Sequence, residues 1–294
     1  MRSRMIALIV TIAAAAAALP LIGGGGSLNA APILVGRVHE SFQPKDGKIF
    51  VLVIGNDARS GNPDRSRADA IHIAGINTKT MKGGILNFPR DSWVSIPGVG
   101  TSKMNEALYQ GGPDVLAQTL ENLTGIRIDY WVMTGFEGFR GIIDDIGGVR
   151  MTIKQPVYDP TGSGAKIDPG KQWMGPLNAL AYVRTRHSFA NGDIDRSTNQ
   201  ASFLLGMLRE LRKDVAKNPA LLMKWMATTR KWARFDVSND ELFRLAVLTS
   251  QVSPKDVGNV TVPVSLGSVG AASVVFIAPG ANSIYQRFRQ NGSL

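Results

Sequence analysis

The run Lys-Ile-Phe-Val-Leu-Val-Ile at 48–54, closed by Gly55-Asn56-Asp57, limits the possible folds of this chain more than any other feature. Six successive apolar residues leave no polar face. As a strand the run must be covered on both sides, which requires a sheet with layers packed above and below it. Residues 70–76 and 84–88 read as two more strands, joined by the turn-rich stretch 77–83. The Gly-Asn-Asp closure marks where the strand ends.

Helical periodicity then alternates with further strands. Leu116, Leu120 and Leu123 repeat at helical spacing within 113–123, and Gly125 follows as the residue suited to a left-handed C-terminal cap. Residues 130–133 read as a strand, 136–146 as a helix ended by Gly147-Gly148, and 149–157 as a strand. A helix at 176–183 opens on proline in its first turn. Phe203, Leu204, Met207, Leu208 and Leu211 form a helical stripe after Arg196. Ser238 and Glu241 make a capping box ahead of 242–248, and 260–264 and 274–277 are late strands. Interleaved strands and helices imply one layered α/β domain over 47–294, expected as a central mixed β-sheet flanked by helices.

Arg2 and Arg4 precede eighteen uncharged residues, 5–22, which end at a Gly-Ser run. As a helix these would extend about 27 Å, near the lower limit for crossing a bilayer. Residues 1–23 therefore read as an N-terminal membrane anchor or a cleaved signal peptide, and 24–46 as a flexible tether. Either leader would place the domain outside the cytoplasm: cell membrane, single-pass, or secreted if cleaved. The charge of +10 falls to +8 without Arg2 and Arg4, 31 basic residues against 23 acidic, which implies an anionic partner. The absence of cysteine excludes disulfides, thiol catalysis and thiolate zinc sites.

Four charged clusters fall at element ends or in loops, where α/β folds build their sites. They are Asp57 with Arg59, Arg65 and Arg67 with Asp69, Arg90 with Asp91, and Arg184, Arg186 and Arg196 around Asp193. Arg184 and Arg186 share a face only if the chain is extended there, since on a helix they diverge by about 200°. Singly, each acid reads as a turn residue or cap and each Arg–Asp neighbour as a surface pair. Jointly, two carboxylates and several guanidinium forks suit a hard cation such as Mg²⁺ bridging a multiply charged phosphate.

These residues carry a resemblance. Gly-x-Asp-x-Arg (55–59), Arg-x-Asp (67–69), Pro-Arg-Asp (89–91), Lys-x-Asn (103–105) and Gly-Gly-Pro (111–113) are followed by Ile-Asp-Tyr (128–130), Gly-Phe (135–136 and 138–139) and Ile-Gly-Gly-Val (146–149). Ala-Leu-Ala-Tyr-Val-Arg-x-Arg (179–186) and Gly-Asp-x-x-Arg (192–196) complete an order that resembles the LytR-CpsA-Psr family of cell-wall enzymes over roughly 48–210. The resemblance implies a phosphotransferase that moves a glycopolymer from a polyprenyl diphosphate carrier to peptidoglycan at the membrane, using Mg²⁺ or Mn²⁺. By matched position, Asp57 and Asp69 would hold the metal, and Arg90, Arg184, Arg186, Arg196 and Gln200 the diphosphate. Arg59, Asp91 and Asp193 fall on further motif positions, with supporting or proton-handling roles.

One departure stands out: where the family commonly has Arg-Gln-Gln, this chain has Asn199-Gln200-Ala201, one guanidinium and one amide fewer. Hydrolysis of the lipid diphosphate at the same site is the alternative activity. A non-catalytic wall-binding protein or a nucleic-acid-binding regulator is a further one. Nucleic acid is not the expected partner, because aspartates accompany the arginines and a leader precedes the domain. His72, mid-strand, reads as a buried structural histidine, His187 as a candidate pocket residue, and His39 as idle. Trp225, Met226, Trp232 and Phe235, within 221–236, read as one side of a packed helix or as an interfacial helix at a membrane.

Overall fold

The computed structural model describes residues 33–37, 46–57, 66–235 and 238–294. In chain order the strands and helices begin with β1 (Ile33–Arg37), β2 (Lys48–Asn56), β3 (Ala68–Asn77), β4 (Gly83–Asn87), β5 (Trp93–Ile96) and β6 (Gly100–Lys103). They continue with α1 (Met104–Thr124), β7 (Tyr130–Thr134), α2 (Phe136–Ile146), β8 (Val149–Ile153), β9 (Val157–Asp159), β10 (Ala165–Ile167) and β11 (Gly170–Met174). The rest are α3 (Pro176–Arg184), α4 (Asp193–Lys217), α5 (Leu221–Trp232), β12 (Ala233–Phe235), α6 (Asn239–Gln251), β13 (Val257–Thr261), β14 (Val264–Val269), β15 (Ala272–Ile277) and α7 (Ala281–Asn291).

The central sheet is mixed, in the order β12-β1-β7-β2-β3-β4-β13. β2 runs parallel to β7 and antiparallel to β3, and β4 runs parallel to β13. Alternation along β2 feeds both layers. Phe50, Leu52 and Ile54 point into a core shared with Met104, Leu108, Leu116 and Leu120 of α1 and Phe288 of α7. Ile49 and Val51 face the other side, where Ile142, Trp232, Leu242 and Leu245 from α2, α5 and α6 cover them. The strand is thus flanked by helices on both faces, as its uninterrupted apolar run requires. A third apolar cluster fastens β8–β11, α3 and α4 to this frame through Ile153, Met174, Tyr182 and Phe203.

Gly125 caps α1 at φ 66°, the left-handed conformation expected of that position. α1 starts nine residues earlier than its leucine pattern shows and is kinked at Gly111 and Gly112. The strand read over 149–157 is two strands, because residues 154–156 include Pro156, which has no N–H to give a ladder. Ser238 and Glu241 form the full capping box. α5 is a packed helix rather than a free amphipathic one, since Trp225 Nε1 donates to Asp214 and Trp232 Nε1 to Asp145.

Residues 24–46 were expected to be a tether, yet Ile33–Arg37 pairs with β7 and β12. The Ile-Leu-Val run at 33–35 supplies β-branched residues that the Gly- and Pro-rich surroundings obscured. The leader and the remainder of that stretch lie outside the described residues. Among the described residues no helix is long and apolar enough to cross a membrane.

Candidate functional site

The site forms where β2 and β7 end, beside the start of α2, the crevice that parallel strands leave at their carboxyl ends. Gly55 pairs with Ala70 and Asn56 with Ala68, so Asp69 is the extra residue of a β-bulge. Bulges re-aim a side chain, and this one sits where the charged groups collect. Asp57 follows β2 directly. Its backbone N–H donates to the Arg67 carbonyl at 3.2 Å and its Oδ1 accepts the Arg67 N–H at 3.1 Å.

Asp69 Oδ1 accepts from Arg90 Nη1 and lies 3.9 Å from Arg196 Nη1, while the Asp69 carbonyl accepts from Arg196 Nη2 at 3.1 Å. Asp193, the first residue of α4, completes the cluster, with Oδ1 2.5 Å from Arg196 Nη2 and 3.7 Å from Arg90 Nε. Four charges from three distant segments therefore share one nearly dry site. Burial opposes the charge on Arg90, but Asp69, Asp193 and Asp91 outweigh it and hold its pKa above the usual guanidinium value. Arg196 is deeper, and there burial outweighs Asp193 and Asp69 and lowers its pKa. Asp91 faces Lys103 Nζ at 3.2 Å.

Beside this cluster opens a cavity of about 90 Å³. Asp69, Arg184 and Arg196 line its charged part, while Phe136, Phe139, Leu180, Val183, Phe203 and Leu204 line the rest. One cavity thus carries charge on one part of its wall and hydrocarbon on the other. The Arg184 guanidinium lies 4.5 Å from the centre of the Phe136 ring, a cation–π contact that fixes its direction. His72 is buried in the same wall. Its Nδ1 donates to Asn87 Oδ1 at 2.8 Å, because the Asn87 amide nitrogen is committed to Asn259 at 2.7 Å. Desolvation lowers the His72 pKa to about 4.

The structure brings Asp69, Arg90, Asp193 and Arg196 into one network and sets Asp57 and Asp91 at its margins. α3 ends at Arg184 and Thr185 is extended. The charge of Arg186, two residues on, is felt at Arg196. Gln200 is buried and donates to the Val183 carbonyl at 3.0 Å, joining α4 to α3. Arg59 lies outside the described residues. His187 does not line the cavity; its Nδ1 is 3.0 Å from Asp159 Oδ1 on the β9 side. Sequence reasoning missed the apolar wall, because Phe139, Leu180 and Phe203 carry the same helical spacing as core residues.

A model of the LytR_cpsA_psr family matches residues 31–289. The chain belongs to the LytR-CpsA-Psr family. It is 37% identical over 170 residues to the probable cell wall biosynthesis protein LcpB of Corynebacterium glutamicum, covering 53% of this chain and 40% of that relative. It is 32% identical over 194 residues to the polyisoprenyl-teichoic acid–peptidoglycan teichoic acid transferase TagT of Bacillus subtilis, covering 63% of this chain and 59% of TagT. The chain thus spans about half the length of these curated relatives. Among solved structures, B. subtilis TagV superposes with a TM-score of 0.74 at 22% identity, covering 84% of this chain and 98% of TagV. TagT with bound octaprenyl pyrophosphate lipid gives a TM-score of 0.66 at 23% identity, covering 86% and 93%. These likenesses establish a LytR-CpsA-Psr fold.

Proposed function

We propose that the protein transfers a phosphorylated glycopolymer from a polyprenyl diphosphate carrier to peptidoglycan during cell-wall assembly. The observation that carries this reading is the single cavity with Asp69, Arg184 and Arg196 at its charged part and Phe136, Phe139 and Phe203 on its apolar wall. A ligand that fills both must be amphiphilic, with a multiply anionic head and a hydrocarbon tail. The name of TagT and the octaprenyl pyrophosphate lipid in its structure agree with that chemistry. At about 90 Å³ the cavity is far below the roughly 300–1,000 Å³ of ordinary ligand pockets, so a long tail must part α2 from α3 to enter.

In the transfer, an acceptor hydroxyl oxygen bonds to the phosphorus that carries the glycan. The bond from that phosphorus to the bridging oxygen breaks, and polyprenyl phosphate leaves. Arg90, Arg184 and Arg196 lower the barrier by meeting the charge that develops on the departing phosphate. Arg196 is held by Asp193 and the Asp69 carbonyl, so little reorganisation is needed when the diphosphate arrives. Asp91, oriented by Lys103, takes the hydroxyl proton.

Asp57 and Asp69 fit a divalent cation. Each has one oxygen engaged with protein groups and a second with no protein partner among the described residues, and Mg²⁺ is typically held by one or two carboxylates plus substrate phosphates and water. Bound there, Mg²⁺ or Mn²⁺ would supply Lewis-acid neutralisation of the diphosphate oxygens. The leader at 1–23 would keep the domain on the outer side of the membrane, where the lipid carrier is within reach.

The test is to supply purified protein with a short-chain polyprenyl diphosphate sugar and Mg²⁺, with and without peptidoglycan fragments. Glycan phosphate joined to the fragment is the expected product. Release of free glycan phosphate in both cases would replace transfer with hydrolysis, and no turnover of the lipid in either would leave a binding protein.

A further inference from the structure

A groove of about 940 Å³ runs along α4 on the side away from the apolar cavity. Asp195, Thr198, Asn199, Ser202 and Arg209 of α4 line the groove, whereas Arg196, Gln200, Phe203 and Leu204 line the cavity, so the helix separates the two. From Asp195 to Lys213 the groove follows the helix for about 27 Å at 1.5 Å per residue. Its other wall is the β8–β11 pair.

The groove is cationic. Arg150, Lys154, Lys171, Arg209 and Lys213 line it against two acids, Asp195 and Glu210. Glu210 is 4.0 Å from Lys213, while exposed Lys154 and Lys171 have no acid in ion-pair range among the described residues. Two residues beyond Lys171 on β11, Trp173 is 48% exposed, and the Arg150 guanidinium stands 5.4 Å from its ring. The indole rests on Gly148, where a Cβ would come within 2.4 Å of Trp173 Nε1. A ring held against backbone is a rigid platform, and aromatic faces flanked by hydrogen-bonding groups suit sugar rings. Length, positive charge and the platform together fit an extended anionic glycan.

We propose that this groove is the acceptor subsite and holds a peptidoglycan strand by its carboxylate-bearing stems and sugar faces. The assignment rests on the transfer reaction proposed above. An attacking oxygen and a departing one lie roughly in line across the transferred phosphorus. With the lipid phosphate leaving toward the cavity, the acceptor reaches the opposite side of the phosphorus around the N-terminal end of α4. There the groove begins at Asp195, two residues from Asp193.

Calorimetry of the full chain with muramidase-released, carboxylate-bearing strand fragments, and with neutral chitin oligosaccharides as control, tests this directly. Trp173→Ala and the pair Lys154→Glu with Lys171→Glu alter exposed positions away from the diphosphate cluster. Each is expected to weaken fragment binding at least tenfold and to raise the KM for fragments by a similar factor. Turnover at saturation and affinity for a short-chain polyprenyl diphosphate should be unchanged. Fragment binding equal to the parent's in both variants would overturn the assignment. So would parental binding no tighter than that of neutral chitin, or competition for the groove by donor glycopolymer alone. Because binding is read without turnover, a protein that binds fragments through these residues but transfers nothing would sink the reaction and leave the glycan site standing.

Discussion

Arg196 and Asp193 stand one turn apart on α4, with Nη2 2.5 Å from Oδ1 and only 4% of the Arg196 side chain exposed. The pair is the buried floor of the site, and Asp69 leans on the same guanidinium. Removing one partner of a buried ion pair strands the other, at about 3–5 kcal/mol. Arg196→Ala is therefore expected to lower unfolding free energy by about that amount in urea titration. Arg184→Ala, which loses a half-buried cation–π contact, should cost only about 1 kcal/mol and still abolish turnover. Equal stability losses for the two would mean that burial does not separate their roles.

Among the described residues the Asp57 side chain is held by one backbone N–H, that of Arg67, which an asparagine oxygen can accept as well. Asp57→Asn should stay within about 0.5 kcal/mol of the parent in stability. It should reduce turnover by two orders of magnitude or more, and raise the Mg²⁺ concentration needed for half-maximal rate. Unaltered metal dependence in a Mg²⁺ titration would remove Asp57 from the cation site.

Leu180 lies on the apolar wall and is half-buried, so a larger ring there projects into the cavity instead of replacing a core contact. Leu180→Trp is expected to weaken binding of a ten-carbon polyprenyl diphosphate at least tenfold. Inorganic pyrophosphate should bind as before. Parallel loss of both ligands, measured by calorimetry, would show that the tail does not use this cavity.

His72 carries a folded pKa of about 4 against 6.5 for an unperturbed histidine, with burial as the main cause and the Asn87 hydrogen bond opposing it. Between those values the unfolded chain takes up a proton that the folded chain refuses. Stability therefore falls as pH drops from about 6.5 toward 4, by about 3 kcal/mol in full. His72→Gln should flatten that part of the stability–pH curve. An unchanged slope in the variant would assign the acid sensitivity to the carboxylates.

Ala201 is fully buried and Asn199 Oδ1 accepts from the Tyr182 hydroxyl at 3.2 Å, so the two departures from the family pattern are packed into this fold. Restoring the amide by Ala201→Gln should overpack α4 and cost about 1–3 kcal/mol, with no gain in donor affinity. A variant as stable as the parent with tighter donor binding would contradict this.

Much of the frame was legible because its signals are local. Apolar residues at 49–54 demand two covered faces, Gly125 takes a left-handed cap, and Ser238 with Glu241 close a capping box within four residues. Strand Ile33–Arg37 was missed, since its pairing partners, Tyr130–Thr134 and Ala233–Phe235, lie far along the chain. The clustered acids and arginines were visible as motifs. The roles of His187 and Gln200 were not, because Asp159 and the Val183 carbonyl meet them only in the folded chain.

The order of apolar runs, glycines and caps was enough, by itself, to dictate a layered α/β domain and to mark which charged residues sit at strand ends. Folding decided which of those charges are buried and where Asp69 is aimed. It also decided that α4 divides an apolar cavity from a cationic groove. Periodicity records the conformation of a few neighbouring residues. Desolvation and charge pairing depend on which distant segments come to lie within a few ångströms of one another.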